Sequence, residues 1–130
     1  MQPDIKVPIL PIKGQRLLIR KAGLLPHKPV HNCEHYIIPT SDGSILIGAT
    51  RHNSKFDQEI TVDAINILVE SAASTFPDLK NGTFISGRAG VRPVTPDNRP
   101  ILGPLPPYES LSLAFGHGSR WIMLSPGTGE

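Results

Sequence analysis

Two hydrophobic periods run along the chain, and they predict different elements. Between Thr61 and Phe76 the apolar residues Ile65, Leu68, Val69, Ala72, Ala73 and Phe76 recur at intervals of three and four, the spacing of one helical face. This predicts an amphipathic helix of about four turns. Thr61 is placed to cap its amino end, Asp63 meets the dipole in the first turn, and Pro77 stops it. Elsewhere the apolar runs are short and β-rich. Glu34 to Pro39 and Ser44 to Thr50 flank Thr40-Ser41-Asp42-Gly43, in which Asp-Gly offers the positive φ of a tight hairpin. Arg16 to Arg20, Gly82 to Val91 and Ser110 to Phe115 read as further strands. Ile5 to Ile12 is apolar but carries Pro8 and Pro11, which lack the ladder N–H, so an extended edge or connection is expected, with a turn at Gly14-Gln15. The prolines at 93, 96 and 100 predict a stiff segment that is neither helix nor central strand. Gly127-Thr128-Gly129-Glu130 reads as the start of a helix. The expected class is therefore α+β: a mixed, largely antiparallel sheet with one main helix.

The 14 prolines and 12 glycines support short strands and turns over a bundle. A length of 130 residues fits one domain. No apolar run approaches the roughly 20 residues of a membrane helix, so no span is expected. Met1-Gln2-Pro3-Asp4 has neither a basic nor an apolar leader region, which points to a cytoplasmic setting. A net charge of +2, with Lys and Arg scattered, argues against nucleic acid as a partner. The single Cys33 cannot close an internal disulfide. His31, Cys33 and His35 would share one face of a strand, but they lack a fourth ligand and an acidic partner, so a half-buried structural cysteine is preferred to a metal site.

Candidate chemistry lies in two stretches, GRAGVRPVTPDNRPILG from Gly87 and AFGHGSRWIMLSPGT from Ala114. Arg92 precedes Pro93, which restrains the backbone and would let a planar guanidinium meet a carboxylate in bidentate fashion. An ion pair with Asp97 or Glu34 is an equal alternative. His117 stands between glycines with no serine or cysteine nucleophile motif beside it, which favours packing or hydrogen bonding over base catalysis. Ser119 and Thr128 suit either a polar ligand edge or an ordinary turn and cap. Read from the residues alone, the chain is a soluble α/β module with an anion-binding loop.

Taken in order, several fragments resemble the DAO superfamily of FAD-dependent oxidoreductases, and within it the glycine oxidases. Pro11-Ile12-Lys13-Gly14-Gln15 resembles the family's P-x-K-G-Q segment. Tyr36-Ile37-Ile38-Pro39, Asp42-Gly43 and Ile47-Gly48-Ala49-Thr50 resemble its hairpin, and Phe56-Asp57 with the helix that follows also falls in place. Ala89-Gly90-Val91-Arg92-Pro93, Thr95-Pro96-Asp97 and Pro100-Ile101-Leu102-Gly103 resemble its A-G-x-R-P, T-x-D and P-x-x-G run, and Gly116-His117 opens a flavin-facing loop.

The resemblance implies FAD as cofactor, a small amino-acid or amine substrate, oxygen as the second substrate, and hydride transfer from the substrate α-carbon. Arg92 and Tyr36 would bind substrate, and Gly90, Gly116, His117, Ser119, Arg120, Trp121 and Ile122 would contact the flavin. No residue is assigned an acid–base role. Where glycine oxidases commonly place an arginine two residues after the histidine, this chain has Ser119, and Trp121 replaces a usual glycine. Gly-His-Gly-Ser-Arg also resembles the oxidase domain of a bifunctional tRNA-modification enzyme, which makes a modified nucleoside a second substrate class. The chain reads as residues 1–130 of a substrate domain with part of the FAD-contacting carboxy-terminal segment. No G-x-G-x-x-G unit occurs, so the amino-terminal dinucleotide-binding segment is expected elsewhere and the chain alone is expected to be inactive. Thiamine precursor synthesis is the implied pathway and a homo-oligomer the implied assembly; a non-catalytic binding module on the same scaffold is the rival reading.

Overall fold

The computed structural model describes residues 6–23, 26–32, 34–53, 56–106 and 108–129. Ile5, Cys33, Glu130 and the opening Met1 to Asp4 lie outside the described residues. The chain divides into two compact units, one of residues 13–52 and 56–91, the other formed largely by residues from 92 onward.

In the first unit, β1 (Leu10–Arg20), β2 (Val30–His31), β3 (Tyr36–Pro39) and β4 (Ser44–Gly48) pair in the order β2-β3-β4-β1. β5 (His52–Asn53) continues the order after β1, and β6 (Thr83–Val94) also pairs with β1. The β3–β4 and β1–β4 ladders are antiparallel, with Tyr36 and Arg16 each opposite Gly48. Hairpin register follows from the turn. Asp42 Oδ1 accepts from Ser44 N at 3.1 Å and Ser44 Oγ at 2.6 Å, while Gly43 takes φ 79. Helix α1 (Val62–Thr75) has Thr61 as its cap, whose hydroxyl accepts from Ala64 N at 3.2 Å. Phe76 ends it and Pro77 opens a 3-10 turn, Pro77–Asn81.

The alternation in β1 decides which face is covered. Leu17, Ile19, Ile37, Ile45 and Ile47 pack with Leu68 and Ala72 of α1 and with Leu79. Each such side chain contributes roughly 1.5–3 kcal/mol by leaving water. Arg16, Leu18, Tyr36, Ile38, Leu46 and Gly48 therefore lie on the second face.

Several sequence expectations change. No turn occurs at Gly14-Gln15, because β1 runs straight through it. Gln15 is buried, its backbone N–H donates to Thr50 Oγ1 at 3.1 Å, and its side-chain Oε1 accepts from Thr61 N at 2.7 Å. Lys13, also buried, pairs with Asp57. β6 continues past Val91 through Pro93, where the sequence indicated a break. His31 and His35 do not share a strand face: His31 is exposed on β2, whereas His35 is buried before β3 and its Nδ1 lies 2.9 Å from Ser71 Oγ.

In the second unit, β7 (Ile101–Leu105) and β8 (Tyr108–Phe115) form an antiparallel pair with Ile101 opposite Phe115. β7 was not evident in the sequence because it holds Gly103 and Pro104; a two-stranded ribbon tolerates both, since one edge needs no N–H donors. A 3-10 turn, Gly118–Arg120, leads into helix α2 (Trp121–Thr128). Gly127 and Thr128 thus belong to the end of a helix and not to its start, and a second helix joins the expected one. Among the described residues, no helix is long and apolar enough to cross a membrane.

Candidate functional site

In the second unit Arg92 sits near the end of β6, half-buried, and its side chain makes no hydrogen bond or ion pair with a described residue. Asp97 instead accepts from Arg99 N at 3.1 Å, and that bond, before any other cause, holds its carboxyl below the usual range. Thr95 Oγ1 donates to Arg99 O at 2.6 Å and Asn98 N to Thr95 O at 3.0 Å, so residues 95–99 form a self-bonded turn. The ion pair with Asp97 weighed from sequence is therefore not made, and the guanidinium keeps its five donors for another acceptor.

Behind this turn runs the loop after β8. Gly116 is buried at φ 82, and a Cβ there would lie 2.6 Å from Thr95 Cγ2. The missing side chain thus serves both backbone conformation and packing on the turn. His117 bridges to Val94 and its Nε2 lies 2.9 Å from Thr128 Oγ1. Thr128 spends its one hydroxyl proton on Leu124 O at 2.8 Å. With that proton spent, Thr128 Oγ1 is placed to accept from His117 Nε2. The histidine ties the loop to the last turn of α2. No side chain caps the helix start at Gly118, so its first backbone N–H groups remain available to an electron-rich edge. Ser119, Arg120, Trp121 and Ile122 are exposed, Trp121 by 60%.

In the first unit Tyr36 is half-buried on β3. Its ring lies across Gly48, where a Cβ would meet Tyr36 Oη at 2.6 Å, and its other side faces His31 with ring centroids 6.0 Å apart. Gly90 borders open space, since a Cβ on it would meet nothing within 4 Å. A recess of about 280 Å³ is lined by Arg16, Leu17, Leu18, Leu46, Ser86 and Arg88. A second of about 420 Å³ is lined by residues including Glu34, His35, Thr50 and His52. Its buried His35 is bonded to Ser71, which also accepts from Asn32 Nδ2 at 2.8 Å, so that ring anchors the β2–β3 connection to α1. Sequence reasoning passed over Arg16 and Arg88; their signal was the charge interrupting otherwise apolar strand patterns.

A sequence model described as "FAD dependent oxidoreductase" matches residues 1–130. The chain belongs to this family. It is 35% identical over 122 residues to a glycine oxidase from Pseudomonas putida, a match covering 94% of this chain and 33% of that one. Among solved structures, a glycine oxidase from Geobacillus kaustophilus superposes with a TM-score of 0.86 at 33% identity, covering 95% of this chain and 34% of that one. An iminodiacetate oxidase from Chelativorans sp. gives 0.82 at 27% identity, covering 95% and 35%. The α+β class is shared with these structures. The chain spans about a third of the length of the relatives it matches.

The FAD implied by the family fits what this chain offers. An uncapped helix start follows a glycine-bounded loop, and an exposed apolar run from Trp121 to Leu124 adjoins it. Such a combination suits a flat aromatic system with an anionic edge.

Proposed function

We propose that the protein containing this chain is an FAD-dependent oxidase of small amines that carry a carboxylate, with glycine-like amino acids as the substrate class. The observation that carries this is Arg92, a half-buried arginine followed by Pro93 on β6 and without any partner among the described residues. A partly desolvated guanidinium favours an anion strongly, because its charge-assisted bonds compete with little water. The glycine and iminodiacetate oxidase relatives support a carboxylate as that anion.

Arg92 grips the substrate carboxylate and so fixes where the α-carbon lies. Tyr36 offers its hydroxyl, which makes no hydrogen bond with a described residue, as a donor to the substrate. Backbone N–H groups at Gly118 and Ser119, with Gly116, His117, Arg120, Trp121 and Ile122 beside them, would hold the cofactor, and Gly90 would contact it as well. When bound, FAD supplies the acceptor for the substrate hydride and passes the electron pair to oxygen, giving hydrogen peroxide. The substrate loses that hydride and an N–H proton to become an imine, which water hydrolyses to an oxo acid and the free amine or ammonia. This chain contributes mainly binding and orientation, and no acid–base pair is needed.

Peroxide release by the full-length protein with glycine, sarcosine, D-alanine and iminodiacetate tests the reading. Peroxide with at least one of them is expected, and none with any would overturn it. Arg92→Leu is expected to raise KM at least about tenfold through loss of charge-assisted bonds. Unchanged kinetics would remove Arg92 from the site.

A further inference from the structure

Four strands of the first unit place one residue each in a single row across the second face of the sheet. His31 opposes Tyr36, Tyr36 opposes Gly48, and Gly48 opposes Arg16. Strands are about 4.8 Å apart, so the Tyr36 and Arg16 backbones lie roughly 10 Å from one another. The tyrosine ring crosses Gly48 with its hydroxyl foremost, since Oη is the atom nearest a Cβ built on that glycine. The hydroxyl therefore points along the row toward β1, where Arg16 is next.

Arg16 opens onto the recess of about 280 Å³, and Arg88 lines the same recess from β6. Gly87 fixes which way Arg88 faces. A Cβ on Gly87 would come within 2.3 Å of Ile60 Cδ1, and Ile60 packs against the core cluster, so Ser86 and Arg88 fall on the second face. Neither guanidinium makes an ion pair or hydrogen bond with a described residue. The remaining lining is Leu17, Leu18, Leu46 and Ser86, with no carboxylate among them. Two like charges in a concave, largely apolar recess raise the local positive potential and attract a compact anion. Guanidinium forks match the planar oxygen pair of a carboxylate, and Ser86 adds a hydroxyl donor.

We propose that Arg16, Arg88 and Ser86 form a second anion subsite that receives a further carboxylate borne by the amine substrate, so that this protein prefers an amino diacid over a monoacid. The proposal rests on the oxidase reading, in which Tyr36 contacts the substrate. From Tyr36 the row leads to Arg16 across one intervening strand, a span that a substrate with two acidic arms bridges and glycine does not.

The test compares kcat/KM for iminodiacetate and for sarcosine in full-length holoenzyme, in the wild type and in the double variant Arg16→Met/Arg88→Met. The diacid-to-monoacid ratio is expected to fall at least about tenfold, through KM and not kcat, with partial recovery in Arg16→Lys/Arg88→Lys. A ratio within about twofold of the wild type overturns the subsite, as does stimulation of sarcosine turnover by inorganic phosphate that the double variant abolishes, which would make the anion independent of the substrate. Should the wild type oxidise neither of these two amines, calorimetric titration of the holoenzyme with malonate decides, and peroxide release from glycine or D-alanine tells separately whether the oxidase reading stands. Wild-type binding weakened in the double variant supports the subsite; equal affinity, or no binding to the wild type, overturns it.

Discussion

Gly48 and Tyr36 show how one missing side chain sets the pose of another. The tyrosine lies flat because its cross-strand partner presents only a hydrogen. In Gly48→Ala the new Cβ would press on the far end of the ring, which can swing away, so the fold should survive while the hydroxyl is displaced. If Tyr36 donates to substrate, KM should rise about fivefold, the size of one lost hydrogen bond of roughly 1 kcal/mol. Steady-state kinetics beside a urea melt separates the two effects, and an unaltered KM would remove Tyr36 from substrate binding. Acid sensitivity also belongs to this scale. Hydrogen bonds from the Ser44 and Thr40 hydroxyls, then from Ser44 N, hold the Asp42 carboxyl far below the usual carboxylate range. The folded chain therefore binds this proton less readily than the unfolded chain, so the stabilisation is complete above about pH 4 and is lost as pH falls further. Asp42→Asn should flatten that part of the acid limb in a melting-temperature profile; an unchanged slope would assign it to other carboxylates such as Asp57, lowered chiefly by Lys13.

At the scale of elements, α1 illustrates the division between local and distant causes. Its face, cap and end were all legible, since 3.6-residue periodicity, Thr61 and Pro77 act on their own neighbours. Its docking was not legible. The cap residue's N–H is met by Gln15 Oε1, 46 residues away and buried under the helix start. Gln15→Leu would strand that donor and should cost about 1–3 kcal/mol in urea denaturation, whereas a solvated N–H would leave stability unchanged. The hairpin was legible for the same local reason as the helix, through Asp42-Gly43. β7 and the extension of β6 through Pro93 were not, because proline's veto depends on whether its edge must donate to a neighbour, a property of the sheet.

At the scale of the molecule, the apolar side chains Trp121, Ile122, Met123 and Leu124 project from α2 at 42–73% exposure, a surface that solvent alone does not favour. Under the proposed function, this run and the loop before it meet FAD, whose affinity resides largely outside a chain that holds no G-x-G-x-x-G unit. The 130-residue chain should leave micromolar FAD fluorescence unquenched while the full-length protein quenches it. Saturable quenching by the chain alone would show a flavin contact already built within it.

Features with local causes could be read from the residues alone: α1 with its cap, the Asp42-Gly43 hairpin, the strands around Leu17 and Leu113, and the ordered fragments that point to the family. The sequence also singled out Arg92, Tyr36 and the Gly116-His117 loop as residues to examine. Long-range packing settled what the residues alone could not: among the described residues Arg92 has no acidic partner, Thr128 Oγ1 meets His117 Nε2, and Arg16 stands in a row with Tyr36. Side-chain partners are chosen by strand register and by which face a helix covers, and both bring together residues that are distant in the chain.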